Sequence, residues 1–240
     1  MTPRRPWQRI AVWLLVAAAS LVMVRLGFWQ LDRLRQRRAQ NRAVLQRWNA
    51  PWVDLNRMPW PTDPHDWDLR AAEAQGEFLP QWAFAVKNRV FQGQTGLHLV
   101  APLRLEDRPG QAVLVVLGWL PMEYTDPNRW QAFIPRGEVT VRGRLFWPDE
   151  EAPPPTPGAA FPRLWYRLVP QAVQPYLPRQ MRLAGWYLVW EPEPGRAPQD
   201  LPRRERLTLT LSEGPHLGYA VQWFAFAALL PVLVWKWNRG

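Results

Sequence analysis

A histidine at the start of an apolar segment is the feature of this sequence that most suggests chemistry. His216 stands directly before residues 217–235, which include no charged side chain. At ~1.5 Å of rise per residue, a helix over these positions is about 28 Å long, close to the hydrocarbon thickness of a bilayer. Its first two turns also hold Tyr219, Gln222 and Trp223. The segment predicts a transmembrane helix with polar chemistry at its entrance.

Two interpretations of His216 follow from these residue types. A neutral imidazole is a good axial ligand for haem iron, and a macrocycle at the membrane edge would lie beside Tyr219, Gln222 and Trp223, with its propionates toward water and arginine side chains. In the other interpretation, His216 belongs to an interfacial belt with Tyr219 and Trp223. The residues alone favour the belt.

The other two histidines are weaker candidates. His65 lies among Asp63, Asp66 and Asp68, which are ligand types for a metal, but a solvated acidic loop has the same composition and no second histidine pairs with His65. His98 falls in a predicted strand, where an outward or hydrogen-bonded histidine is the usual outcome. We expect neither to be a functional site.

Catalytic motifs are missing from the sequence. It contains no Gly-x-Ser-x-Gly elbow, no phosphate-binding glycine loop, no His-Glu-x-x-His helix and no cysteine, and its serines are Ser20 and Ser212. A hydrolase with paired carboxylates is left open, although no pattern points to one. We expect a protein that is not an enzyme.

A second apolar segment lies near the N-terminus. Residues 10–24 are apolar, and residues 26–29 prolong the segment after Arg25, whose long side chain can reach the headgroups. The alternative is a cleaved signal peptide, with a basic start at Arg4, Arg5 and Arg9 and small residues at 17–19. Because the apolar stretch continues past the alanines, the sequence favours an uncleaved anchor.

Composition predicts a β-rich domain between these segments. The chain has 240 residues, 27 prolines, 17 tryptophans and 48% apolar residues. So many prolines disfavour a helical bundle, whereas the apolar content disfavours disorder. We therefore predict an α+β membrane protein in which two transmembrane helices flank one mostly antiparallel β domain.

Local patterns place the strands of this domain. We predict a hairpin over 83–91 and 97–105, a central strand over 112–120, a short helix over 128–133, and further strands over Glu138–Phe146, 183–190 and 207–211. Residues 150–162 predict a stiff, proline-rich connector.

Charge indicates a lipid-facing surface. The net charge is +10, and one basic cluster directly follows the first apolar segment, at Arg33, Arg35, Arg37, Arg38, Arg42 and Arg47. Such a cluster is suited to anionic lipid headgroups or an acidic partner surface, and we expect no nucleic-acid partner. Arginines on both sides of the first segment leave the orientation in the membrane open from charge alone.

The two ends of the chain together resemble a known family. Leu26-Gly27-Phe28-Trp29-Gln30-Leu31-Asp32-Arg33 resembles the signature at the exit of the first membrane helix of the Surf1 (Shy1) family of cytochrome c oxidase assembly factors. His216-Leu217-Gly218-Tyr219-Ala220-Val221-Gln222-Trp223-Phe224 resembles the motif that opens that family's second helix. Gly76-Glu77-Phe78, Gly96 with Ala101-Pro102-Leu103, and 115–119 follow in the family's order.

Two positions depart from the family pattern. Leu117 stands where the family usually has an arginine before Gly118-Trp119, which puts in doubt a charge role on the central strand. Glu213-Gly214-Pro215 precedes the histidine motif where an asparagine is common.

The resemblance implies a function, a cofactor and partners. It implies an assembly factor of the cytoplasmic membrane that helps to mature subunit I of a haem–copper oxidase together with other assembly factors. It also implies transient binding of haem a, with His216 as the iron ligand and with Trp29, Gln30 and Arg33 lining or stabilising the same site. The alternative is a structural scaffold that binds oxidase subunits and no cofactor.

The resemblance also implies a topology with both termini inside. Residues 1–9 and 236–240 are then cytoplasmic tails, 10–31 and 214–235 are the transmembrane helices, 32–50 form a basic amphipathic stalk, and 51–213 form the extracytoplasmic domain.

Overall fold

The computed structural model describes residues 6–61, 63–148 and 160–239. The chain divides into two compact units: a helical unit made of the chain through Leu45 and from Thr210 onward, and a sheet unit over Gln46–Leu209. Most of the proline-rich connector predicted over 150–162 lies outside the described residues.

The described elements are three α-helices, eight strands and several 3₁₀ turns. The helices are α1 Pro6–Trp48, α2 Pro170–Val173 and α3 His216–Trp237. The strands are β1 Val53–Asp54, β2 Ala71–Phe78, β3 Phe84–Phe91, β4 Gln94–Leu105, β5 Gln111–Pro121, β6 Glu138–Phe146, β7 Leu164–Trp165 and β8 Arg182–Trp190. The 3₁₀ turns are Pro64–Trp67, Pro80–Trp82, Met122–Tyr124, Pro127–Phe133 and Gln174–Tyr176.

The strands close into a barrel. The order β2-β6-β8-β5-β4 returns to β2, because β2 pairs with β6 on one side and with the far end of β4 on the other. Gly76 is the residue at which β2 turns from one partner to the other, since it pairs with both Val139 and Leu105. A Cβ atom there would lie 1.9 Å from the carbonyl oxygen of Arg104, so this closure requires glycine.

The barrel interior is the hydrophobic core. Leu99 and Leu103 of β4, Val115 of β5, Val141 of β6 and Leu188 of β8 are fully buried inside it. Alternate residues of each strand point inward, as strand geometry requires. A second, smaller apolar cluster covers the outer side of the barrel and is centred on Phe84, Val86, Val100, Leu114, Val116 and Val173.

The sheet is mixed, so the prediction of a mostly antiparallel domain is wrong in this respect. β5 pairs with β8 in parallel, and the short strands β1 and β7 pair in parallel with β2 and β3. A parallel neighbour needs a long crossover connection, here the chain that leaves β5, forms β6 and α2 and returns as β8. Hairpin signals in a sequence do not reveal such long-range pairings.

Most of the predicted strands are confirmed. β3, β4, β5, β6 and β8 occupy the predicted positions, and β5 is central, since it lies between β4 and β8. The short helix predicted over 128–133 is the 3₁₀ turn Pro127–Phe133. The strand predicted over 207–211 is wrong, since these described residues form no strand. Alternating apolar and polar residues do not by themselves provide a neighbouring strand for backbone hydrogen bonds.

Helices α1 and α3 are each long and apolar enough to cross a membrane. Their most apolar windows have mean hydropathies of 2.2 and 1.8. Large apolar side chains such as Leu14, Leu21, Leu229 and Leu233 are more than half exposed, whereas the core helix of a soluble protein buries such residues. The two helices are therefore compatible with a membrane protein. Helix α1 is continuous from the apolar segment to Trp48.

His98 makes the stability of the sheet unit depend on pH. Burial beside β3 and β5, together with the charge of Arg89, lowers the pKa of His98 from 6.5 to about 4. Between pH 6.5 and 4, His98 therefore binds a proton in the unfolded chain but not in the folded chain. The contribution of neutral His98 to the stability of the fold is full above pH 6.5 and is lost as the pH falls toward 4.

We predict that the sheet unit loses about 3 kcal/mol of unfolding free energy between pH 7 and pH 4 through this residue, since one pKa unit is worth about 1.4 kcal/mol. Urea unfolding of the detergent-solubilised chain, followed by far-ultraviolet circular dichroism, measures the loss. A His98→Leu variant is expected to lose correspondingly less stability on acidification. An equal loss in both proteins would contradict the assignment.

Candidate ligand site between the two terminal helices

A tight turn sets the position of His216 at the start of α3. Gly214 has a φ of 72°, a left-handed conformation that glycine adopts without strain, and Pro215 then caps the helix, with its carbonyl accepting from the amide of Tyr219 at 3.1 Å. A Cβ atom at position 214 would lie 3.3 Å from Cδ2 and Nε2 of the imidazole. The Nε2 edge of the ring therefore faces a glycine, which has no side chain to contact it.

His216 meets Gln30 of α1. The imidazole Nδ1 lies 2.9 Å from the Gln30 side-chain oxygen Oε1, and both side chains are half-buried. A carbonyl oxygen only accepts hydrogen bonds, so Nδ1 donates and, in the neutral ring, Nε2 keeps its lone pair. The contact joins two segments 186 residues apart and leaves one imidazole nitrogen able to bind a metal centre.

A polar clasp holds the chain just before α3. It is formed by Arg37, Arg38 and Asn41 of α1 with Ser212 and Glu213. Arg37 and Asn41 donate to the carbonyl oxygen of Ser212 at 3.1 and 3.2 Å. Arg38 donates to both carboxylate oxygens of Glu213 at 2.9 Å each. Such two-point pairing fixes orientation as well as distance.

The clasp responds to pH in a definite direction. The hydrogen bond from Arg38 lowers the pKa of Glu213, and Glu213 in turn raises the pKa of Arg38. The ion pair therefore contributes fully above the ordinary carboxylate pKa and is lost as the pH falls through the lowered pKa of Glu213. The pair is solvent-exposed, so salt also weakens it.

Small residues bring the two helices into contact below the polar groups. Gly27 is buried against Phe224: a Cβ atom at position 27 would lie 2.6 Å from the Phe224 ring. Phe28 packs edge-on against the same ring, with centroids 5.3 Å apart, and Ala220 of α3 is buried. Close approach through glycine and alanine is the usual mode of helix packing in membranes.

The structure brings together only some of the predicted site residues. His216 contacts Gln30, and the Arg33 guanidinium lies over the Trp29 ring at 5.6 Å. Trp223 is half-buried and packs against Phe226 with centroids 6.2 Å apart.

Tyr219 and Gln222 differ in their position relative to His216: Tyr219 is one turn away on the same face of α3, and Gln222 is not. Tyr219 is 48% exposed, and Gln222 is also exposed. At about 100° per residue, Gln222 is roughly 120° around the helix from His216. Neither residue makes a described contact with Gln30. A role for either one in holding a ligand stays a prediction.

Sequence reasoning missed the clasp. The sequence places Arg37 and Arg38 in a basic cluster suited to lipid headgroups or an acidic partner surface, and Glu213 appears only as a departure from the family pattern. A signal was present, because Glu213 is an isolated acidic residue directly before one apolar segment and the basic cluster directly follows the other. Opposite charges at the two exits indicate antiparallel helices whose ends meet.

His65 and its neighbouring aspartates have structural roles. Asp63 caps the 3₁₀ turn Pro64–Trp67 by accepting from the amide of His65, and Asp68 accepts from the amide of Trp147. The His65 ring lies 5.8 Å from the Trp147 ring. Across the described parts of the chain, no group of three or more histidine, aspartate or glutamate side chains is arranged to hold a metal ion.

The sheet unit has an open cleft with a volume of about 760 Å³. Trp48, Trp52, Arg142, Arg144 and Glu191 line it. Its charges are mostly paired: Arg142 binds Glu73, and Arg144 lies 3.5 Å from Glu191 and stacks on Trp48 at 3.4 Å. These contacts tie the end of α1 to β6.

Comparison with known proteins places the chain in a family. The sequence model of the SURF1 family matches residues 17–228, which include the Gln30 and His216 contact and the whole barrel. The chain belongs to the SURF1 family. The match confirms the resemblance seen in the sequence.

Individual relatives are distant, and two SURF1-like proteins align over most of the chain. The chain is 24% identical over 239 residues to a SURF1-like protein of Rickettsia bellii, which covers 95% of this chain and 90% of the relative. It is 26% identical over 236 residues to an uncharacterized SURF1-like protein of Mycobacterium bovis, covering 95% and 82%. It is also 27% identical over 114 residues to the cytochrome oxidase assembly protein SHY1 of Saccharomyces cerevisiae, covering 48% of this chain and 29% of SHY1.

We predict that Gly27→Ala weakens the packing of α1 and α3 by about 1–3 kcal/mol, because the new methyl group overlaps the Phe224 ring. Hydrogen exchange of the α3 amides in detergent measures the loosening. Gly218→Ala is the matched control, since a Cβ atom there meets nothing within 4 Å. Equal exchange in Gly27→Ala and the unsubstituted chain would contradict the packing described.

A second prediction concerns the clasp. Arg38→Glu and Glu213→Arg each place like charges together and are expected to separate the two segments, whereas the double variant restores the pair. Spin labels on Gln40→Cys and Thr210→Cys report the separation, and the cysteine-free sequence makes the labelling selective. We expect broad distances in the single variants and a narrow one in the double variant. A double variant as broad as the singles would show that the pair does not hold the clasp.

Proposed function

We propose that this protein is an assembly factor for a haem–copper (cytochrome c) oxidase and assists the maturation of subunit I. Family membership over residues 17–228 and the likeness to the SHY1 assembly protein support this role. Subunit I and other assembly factors are its partners. The protein acts by binding and positioning, and it is not an enzyme.

The proposal includes a cofactor, haem a, held transiently at the contact of α1 with α3. The residues fit such a group: a half-buried imidazole with Nε2 beside a glycine stands at the head of an apolar helix, and arginines lie one to two turns beyond Gln30 on α1. Haem a would supply an iron atom for His216 and a macrocycle too apolar to remain in water. Trp29 offers an aromatic surface, and Arg33 offers charge to the propionates.

The proposed location is the cytoplasmic membrane, with both termini inside and the barrel outside. The two apolar helices support the membrane location. The basic residues of α1 beyond the apolar segment then face the headgroups of anionic lipids, where each arginine near the surface contributes about 1 kcal/mol.

A cofactor-free scaffold is the second candidate, and the His216–Gln30 contact itself favours it. Within an apolar layer, an unpaired polar side chain is costly, and a hydrogen bond between helices relieves that cost without any ligand. His216 and Gln30 would then fix the helix pair that oxidase subunits recognise.

Pigment separates the two candidates. We predict that the protein, purified in detergent from cells that make haem a, shows a Soret band, and that His216→Ala removes the band because the iron loses its ligand. Leu229→Ala is the control on the same helix, since Leu229 is exposed and lies more than three turns from His216. The protein could be colourless when purified and yet restore oxidase assembly when expressed in cells that lack it. That result would overturn the carrier and support the scaffold.

A further inference from the structure

Gln30 is the hydrogen-bond partner of the His216 imidazole among the described residues. It lies on the side of α1 that faces α3, with buried Gly27 one turn before it and buried Leu34 one turn after it. Residues three and four apart share a helix face, so the packing of Gly27 and Leu34 fixes the direction of Gln30. The amide is thus held in place by the helix pair.

The contact determines which imidazole nitrogen carries the proton. The tautomer of a neutral histidine is set by the hydrogen bond that its other nitrogen makes. With Gln30 Oε1 as the acceptor at 2.9 Å, a neutral imidazole must carry its proton on Nδ1 and its lone pair on Nε2. Nε2 is the nitrogen beside Gly214, which has no side chain to contact it.

We infer that Gln30 is a positioning residue for His216, which keeps the proton on Nδ1 so that Nε2 is always ready to bind iron, and that its neutral amide keeps this bond weak enough for the iron to be released. The inference rests on the proposed function. In a metal-binding histidine, an acceptor that binds the N–H of the other ring nitrogen orients the ring and raises its basicity, most strongly when that acceptor is a carboxylate. An amide orients the ring equally well but adds less basicity, as a transient carrier requires.

Two variants of Gln30 separate orientation from basicity. Gln30→Leu removes the acceptor and places an apolar side chain of similar size in the interface. Gln30→Glu keeps an acceptor oxygen and adds basicity. Gln36→Leu is the matched control on α1, because Gln36 accepts from Arg33 at 3.2 Å and makes no contact with His216.

The first measurement needs no cofactor. The chain has three histidines, so nitrogen-15 magnetic resonance of histidine-labelled protein in detergent gives a simple spectrum, in which His216→Ala identifies the signal of His216. We expect His216 to be protonated at Nδ1 in the unsubstituted protein, in Gln30→Glu and in Gln36→Leu. We expect Gln30→Leu to shift the proton toward Nε2. An unchanged tautomer in Gln30→Leu would overturn the inference.

The second measurement uses haem a added to the purified proteins. We expect Gln30→Leu to bind haem a about 10- to 100-fold more weakly, the usual effect of removing the partner of a ligating histidine. We expect Gln30→Glu to raise the iron–histidine stretching frequency in the resonance Raman spectrum and to slow the transfer of haem a to apomyoglobin. Identical spectra and rates in all Gln30 variants would overturn the inference.

The outcomes distinguish the inference from the proposed function. If His216→Ala loses haem a while the Gln30 variants match the unsubstituted protein, the carrier stands and the role of Gln30 is wrong. If no protein binds haem a but the tautomer depends on Gln30, the carrier fails and the positioning of His216 by Gln30 stands. Loss of the tautomer effect together with loss of haem binding would remove both.

Discussion

The helical unit depends on pairing the polar side chains that its two helices bring together. His216 and Gln30 are half-buried, and a buried polar group without a partner is costly, so the two stabilise the helix pair by hydrogen-bonding to each other. Their contact is possible because Gly27 lets α3 approach α1 and because the clasp from Arg38 to Glu213 sets the register of the two helices. One hydrogen bond thus links helix packing, the choice of tautomer and the availability of Nε2.

A second buried polar contact lies in the barrel, beside Leu117 of β5. Leu117 supplies no charge to the central strand, but Arg204, from the irregular segment after β8, donates to the carbonyl oxygen of Leu117 at 2.7 Å. The same guanidinium binds Glu193 at 2.6 Å and stacks on the Trp190 ring at 3.4 Å. An arginine from another part of the chain is therefore buried beside Leu117.

Sequence patterns predicted the elements of this protein better than their partners. Apolar runs identified α3 and β5, and alternation identified β6, because both patterns are local consequences of burial. The parallel pairing of β5 with β8 and the pairing of Gly76 with two strands depend on residues far apart in the chain, which periodicity does not encode. The same limit applied to the site. Residue types singled out His216, and the family signature singled out Gln30, but neither indicated that the two side chains form a hydrogen bond, nor that Gln222 turns away from it.

The separation of Gln30 and His216 along the chain also has a consequence for biosynthesis. During translation Gln30 emerges 186 residues before His216, and the barrel sequence is made in the interval. Domains fold as they leave the ribosome, in order from the N-terminus. The imidazole therefore joins the glutamine only after the sheet has had the opportunity to form, and a nascent or truncated chain without α3 does not contain the contact between the two helices.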